Sequence, residues 1–177
     1  SVTTVLSDGR MVETATVGPE GMLGIEAMLS ADAVAQGEVL LQVSDTDAAR
    51  LSASDFRREL EKKGVFADLI GRYAIAVLRQ MMHSTACNAL HQVHERCARW
   101  LLMTHDRLGN DSFHLSHEFL GVMLGVRRQS VTVVAGALQA AGLITYHRGD
   151  IRVLDREGLE GASCECYGLI SRQFEKL

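Results

Sequence analysis

The sequence predicts an α+β chain in three parts: a strand-rich opening, one long helix, and a C-terminal half of short helices closed by a hairpin. Three observations carry this reading. Alternating, β-branched stretches broken by turn residues fill the opening third. From Val65 to about Leu90 there is no proline and no glycine except Gly71. Beyond that run, apolar residues recur at helical spacing around Gly125, and two short strand-like segments follow.

At 177 residues the chain can bury one core, or two small ones joined by a connector. Its 18 basic and 22 acidic side chains give a net charge of −4, so any basic footprint has to be local. Residues 93–156 hold eight basic and six acidic groups and are the only positively balanced stretch. No apolar run reaches the ~20 residues of a membrane span and no signal-peptide layout is present, so a soluble cytoplasmic protein is expected. Cys87, Cys97, Cys164 and Cys166 lack the spacing of paired metal-binding cysteines and read as reduced thiols.

The first part, residues 1–62, opens on "VTTVL" (2–6) and "MVETATV" (11–17), with the turn pair Asp8-Gly9 between them. "EVLLQV" (38–43) is a further strand, and Ser52 or Ser54 caps a helix. The chain starts inside a strand with nothing before it to pair with, so strands that precede Ser1 are expected. In residues 63–92 the long helix carries Ile70, Tyr73, Val77, Met81 and Thr85 at helical spacing, with Ala74, Leu78 and Met82 alongside them in a wide apolar stripe. At some 26 residues it exceeds the ~11–12 of an ordinary globular helix, which points to a subunit seam along that stripe.

Residues 93–177 open on another amphipathic helix (94–111), stopped by Gly109-Asn110. Ser116 then caps a helix that turns Phe119, Leu120 and Leu124 inward and ends at Gly125. A second helix, about Arg127 to Ala141, buries Val131, Val134, Ala135 and Leu138 before Gly142. Gly121 supplies the small residue where the two helices touch, and Gly125 the turn; this is a helix-turn-helix. "LITY" (143–146), "HRGD" (147–150) and "IRVL" (151–154) form a β-wing, with Arg148 at its tip and Arg152 behind it.

The second helix leaves Arg127, Arg128, Gln129, Ser130, Thr132 and Val133 facing outward at its N-terminal end. Arginine reads guanine O6 and N7, glutamine reads adenine, and a valine or threonine methyl suits the thymine methyl. A positive charge beside the positive end of the helix dipole costs up to ~1 kcal/mol, a cost that a phosphate or base would remove. Together with Arg148, these residues form the expected DNA-binding set.

"LSHEFLGVMLGVRRQSVTVVAGALQAAGLITYHRGDIRVLDREGLE" resembles the DNA-binding domain of the Crp/Fnr family of bacterial transcription regulators. The long helix looks like that family's dimerisation helix. Residues 1–62 resemble the latter part of its β-roll (cupin-like jelly roll), a cyclic-nucleotide-binding-like sensor domain. The resemblance implies a homodimer on an inverted-repeat operator of double-stranded DNA, acting with RNA polymerase. By that resemblance Arg128 matches a base-contacting arginine, Gln129 stands where a glutamate does, and Val133 replaces an arginine. The family's nucleotide pocket pairs Gly with Glu and an Arg with Ser or Thr. Here Met22 follows Gly21 and no arginine lies between 11 and 49, so cyclic AMP is not the expected effector.

No cofactor is expected from the residues. His91, His94 and Cys87 share a helix face, but no third convergent ligand is evident, so they read as ordinary surface or hinge residues. "CEC" (164–166) reads as thiols on a C-terminal helix. A winged-helix interaction module without DNA binding is the competing function, and its second helix would be acidic or apolar. A small metallo-enzyme lacks a general acid–base pair.

Overall fold

The computed structural model describes residues 1–30, 32–34, 37–42 and 47–177, with Ala27 described by its backbone alone. The opening part forms an antiparallel three-stranded sheet, β1 (Val2–Val5), β2 (Met11–Ala15) and β3 (Glu38–Val39), in the order β2-β1-β3. The turn between β1 and β2 is a three-residue loop, Ser7 to Gly9, closed by the Leu6 N–H to the Arg10 carbonyl at 2.8 Å with Gly9 alone at positive φ, 81°, rather than a two-residue turn on Asp8-Gly9. The expected strand over 38–43 shortens to two residues, and its last position, Val43, lies outside the described residues. A 3-10 turn, Ile25–Met28, interrupts the intervening loop.

Ser52 caps α1 (Ala53–Glu61), its side chain accepting from the Asp55 N–H at 3.1 Å. The long helix α2 runs Val65–Leu90, as the missing breakers require. One expectation about α2 is corrected. Ile70, Tyr73 and Val77 are buried inside this chain rather than presented to a partner. The Tyr73 hydroxyl donates to the Met22 carbonyl at 2.9 Å and accepts from its N–H at 3.0 Å. Gln80, also buried, donates to the Thr16 carbonyl at 3.2 Å. The Ile70, Tyr73 and Val77 part of the stripe therefore faces inward, while Met81 is half-buried and Thr85 exposed. Ile75, Leu78 and Met82, at 52%, 58% and 64% exposure, lie on the opposite side of the helix at about 100° per residue.

Helix α3 (Val93–Leu108) follows after a break at His91-Gln92, where Gln92 and Glu95 make a reciprocal capping box. The main core gathers on it. Trp100, Leu101 and Leu102 pack with Leu120, Leu124, Val131, Leu138, Ile144, Ile151 and Leu159 from the elements that follow. Those are β4 (Ser112–His114), α4 (His117–Leu124), α5 (Arg128–Ala140), β5 (Ile144–His147), β6 (Asp150–Val153), α6 (Arg156–Gly161) and α7 (Cys166–Phe174). The second sheet has the order β4-β6-β5. Its third strand, β4, went unforeseen because three residues are too few to show an alternation. A buried carboxylate ties the two halves: Glu13 on β2 accepts from the Trp100 indole N–H and the Thr16 hydroxyl, each at 2.9 Å.

Candidate nucleic-acid interface

The interface grows out of one tight corner. The Ser116 hydroxyl accepts from the Phe119 N–H at 3.1 Å and fixes the start of α4, a cap worth about 1 kcal/mol. Gly125 ends α4 in the left-handed region, at φ 64°. A Cβ on Gly121 would stand 2.9 Å from the Val126 carbonyl oxygen, so only glycine lets α4 and the chain entering α5 approach this closely. Leu120, Leu124, Val131 and Val134 fill the angle between the helices, with Val126 half-buried at its edge.

Helix α5 begins at Arg128, with Arg127 in the cap position. Arg127 makes no side-chain cap, so the first N–H groups of the helix stay open toward solvent. Arg127, Arg128, Gln129, Thr132 and Val133 are exposed and Ser130 is half-exposed. Val133 is 73% exposed, an apolar side chain standing free among polar neighbours. Among the described residues, neither Arg127 nor Arg128 pairs with a carboxylate. Thr132 differs from its neighbours. Its hydroxyl shares a 3.0 Å hydrogen bond with His117 Nδ1 and lies 3.2 Å from the Arg128 carbonyl, which fixes its rotamer.

His117 is the residue that sequence reasoning missed. Its ring stacks on Tyr146 of β5, with centroids 4.1 Å apart and planes at 21°, so it couples α4, α5 and the wing. Burial, and after it the Arg128 charge, hold its pKa below the ordinary 6.5. A histidine beside a helix cap has no distinguishing pattern in sequence.

The wing is a two-residue hairpin between β5 and β6, paired His147 to Asp150 and Ile144 to Val153. Arg148 and Gly149 both have positive φ, 50° and 98°, as a type I′ turn demands. Arg148 thus occupies a conformation that favours glycine or asparagine. It is exposed at the tip, and Arg152 is exposed on β6.

A second grouping lies away from this face. Cys87 and His91, at the end of α2, meet Cys164 and Cys166, from the start of the C-terminal segment, with all four ligand atoms within 4.8 Å of one another. The Cys87 and Cys164 sulfurs stand 3.4 Å apart, and Cys166 Sγ stands 3.7 Å from His91 Nδ1. The Cys164 hydrogen bond holds the Cys87 thiol down at about 5. His94 is exposed and Cys97 is buried in the main core, where burial alone pushes its thiol up to about 12. The convergent ligands that the sequence did not reveal come from the tail, some 75 residues further on.

Residues 95–162 match the Crp-like helix-turn-helix domain family. No curated protein matches the chain in sequence. Among solved structures, a CRP-family transcriptional regulator from Thermus thermophilus superposes with a TM-score of 0.65 at 21% identity, over 93% of this chain and 85% of its own. FixK2 from Bradyrhizobium japonicum gives 0.66 at 17% identity, over 92% and 82%. A structure from Eubacterium rectale assigned to the crp/fnr family gives 0.50 at 22% identity; the match covers 62% of this chain and about half, 51%, of that one. The fold is shared by all three.

Proposed function

We infer, from a chain that belongs through residues 95–162 to the Crp-like helix-turn-helix family and that has the Crp/Fnr fold, a homodimeric regulator of transcription that binds DNA sequence-specifically. One observation carries the reading. The uncapped, exposed first turn of α5 presents Arg127, Arg128 and Gln129, and among the described residues no carboxylate pairs with either arginine. A winged-helix module used only for protein contacts has no need of two unpaired arginines at the positive end of a helix dipole.

In this reading α5 enters the major groove by its N-terminal end. Arg128 takes a guanine edge, Gln129 and Val133 read neighbouring positions, and Arg127, Ser130 and Thr132 contact flanking phosphates or bases. Arg148 reaches a phosphate from the wing. Two copies related by a twofold axis read an inverted repeat whose half-sites are centred ~34 Å, or a multiple of it, apart. A cytoplasmic protein working with RNA polymerase follows from the same reading, and among the described residues no helix is long and apolar enough to cross a membrane.

Selection of bound duplexes from a random library tests this. The expected result is an inverted repeat. Arg128→Ala should weaken binding by about 1–3 kcal/mol per half-site and relax preference at one base position. Failure to enrich any sequence, with the protein folded and dimeric, would overturn sequence-specific binding.

A further inference from the structure

We propose that Cys87, His91, Cys164 and Cys166 form a four-coordinate site for one zinc-class divalent ion, which pins the end of α2 to the C-terminal segment. The donor set is three thiols and one imidazole, the composition of closed structural zinc sites. The geometry suits a single ion. With Zn–S of ≈ 2.3 Å and Zn–N of ≈ 2.0–2.1 Å, a tetrahedron sets its sulfurs about 3.8 Å apart and a sulfur about 3.5 Å from the nitrogen. The chain holds Cys87 and Cys164 Sγ at 3.4 Å, Cys166 Sγ and His91 Nδ1 at 3.7 Å, and the whole set within 4.8 Å. Ligands divided among several irons of a cluster stand further apart than ligands sharing one ion.

Two independent features point the same way. The first is the outer hydrogen bond of the histidine. Nδ1 faces the sulfurs, and Nε2 lies 3.1 Å from the Glu165 carboxylate. That is the arrangement by which metal-ligating histidines are oriented and made more basic. Glu165 is the residue between the two tail cysteines, so the "CEC" segment supplies two ligands and the group that aims the third.

The second feature is charge. Three thiolates and a neutral imidazole around a divalent ion leave a net −1, and whatever protons these four groups carry pass to solvent on binding. Arg96 and Arg99 on α3 are buried, at 7% and 5% exposure, and their Nε atoms have no hydrogen-bond partner among the described residues. Neither pairs with a carboxylate among those residues. The charges of both arginines favour the Cys87 thiolate. Arg99 also feels the buried Glu13 carboxylate, so the uncompensated buried cation is chiefly Arg96, and an anionic metal–thiolate centre offsets its cost.

The position gives the site its consequence. His91 is the last cap of α2 and Gln92 the first of α3, so the ion sits at the joint between the long helix and the helix-turn-helix half. It crosslinks residues 77 apart in sequence, Cys87 and Cys164. Loss of the ion frees α7 and the joint together, which makes the angle between α2 and α3 dependent on metal supply.

The test is elemental analysis and cobalt spectroscopy on the full chain, kept reduced and anaerobic. Wild-type protein should hold one zinc per chain after gel filtration. With Co²⁺ in its place it should show the intense visible bands of a tetrahedral site and thiolate-to-cobalt charge transfer. Cys164→Ser, Cys166→Ser and His91→Ala should each lose the bound ion, while Cys97→Ser and His94→Ala keep it. The cobalt spectrum needs no variant, so it reads the site even where a substitution unfolds the protein. Absence of stoichiometric metal in the reduced wild-type chain, an octahedral cobalt spectrum, retention of metal by the Cys166→Ser and His91→Ala chains, or a Cys87–Cys164 disulfide formed in place of metal binding would overturn the proposal. None of these readouts involves DNA, so a failed operator selection leaves them intact, and the converse holds.

Discussion

Arg148 separates charge from conformation. At φ 50° it pays for a backbone that glycine adopts freely, while its side chain reaches outward from the wing tip. Arg148→Gly should therefore raise stability, by up to about 1 kcal/mol in a denaturant titration, while weakening binding to all DNA sequences alike and flattening the salt dependence. Loss of stability in that variant would show that the side chain packs more than its exposure implies. His117 offers a pH test on the same face. Its folded pKa lies below 6.5, so the folded state takes up its proton later than the unfolded chain does. Its contribution is then complete above about pH 6.5 and is lost as pH falls through the folded value. Wild type should lose stability relative to His117→Gln between pH 7 and pH 5, and Arg128→Ala should raise the His117 titration point seen by NMR. An unshifted titration in Arg128→Ala would remove Arg128 as a cause.

Helices α2 and α5 show how far element-level reasoning goes. Periodicity finds both, and capping chemistry places the ends of α5 within a residue: the expected span of Arg127 to Ala141 became Arg128–Ala140. What periodicity could not do on α2 was choose a face. The helix is apolar nearly all round, so any stripe at three- and four-residue spacing fits. Tyr73 and Gln80 settle the matter by hydrogen-bonding to the first sheet's loops, which leaves Ile75, Leu78 and Met82 outward. The seam of the proposed dimer is expected on that outward side. Ile75→Glu with Leu78→Glu should convert a sedimenting dimer into a folded monomer. Val77→Glu, by contrast, should destabilise the fold itself, since a charge at a 7% exposed position has no partner. A dimer that survives the double substitution places the seam elsewhere.

At the scale of the molecule, the two halves meet through polar groups inserted into apolar surroundings. Glu13 reaches Trp100, and Arg107 on α3 pairs with Glu20 at 3.0 Å while lying over the Phe174 ring of α7. Such contacts let a change in the first part be felt at α3. Cyclic AMP is not the expected cause of such a change. The described part of the loop after β2 offers a tyrosine-bound Met22 where the resemblance would require a carboxylate, and no arginine follows it before residue 50. Calorimetry with cyclic AMP and cyclic GMP should show no binding tighter than the millimolar range. Saturable micromolar binding would require a phosphate clamp from residues outside that stretch.

The sequence by itself determined the local structure: the breakers that bound α2, the Ser116 cap, the Gly121–Gly125 corner and the exposed arginines that open α5. Each is set by residues within a few positions of one another, where backbone sterics and hydrogen-bond chemistry act without the rest of the fold. Tertiary structure alone decided which face of α2 is inward, that His117 would brace Thr132 against Tyr146, and that Cys87 and His91 would meet Cys164 and Cys166. Those relations join residues 15 to 77 positions apart, and their spacing leaves no periodic trace. They exist only because packing α2 against α7, and α4 against α5 and the wing, brings distant polar groups to distances at which they must bond.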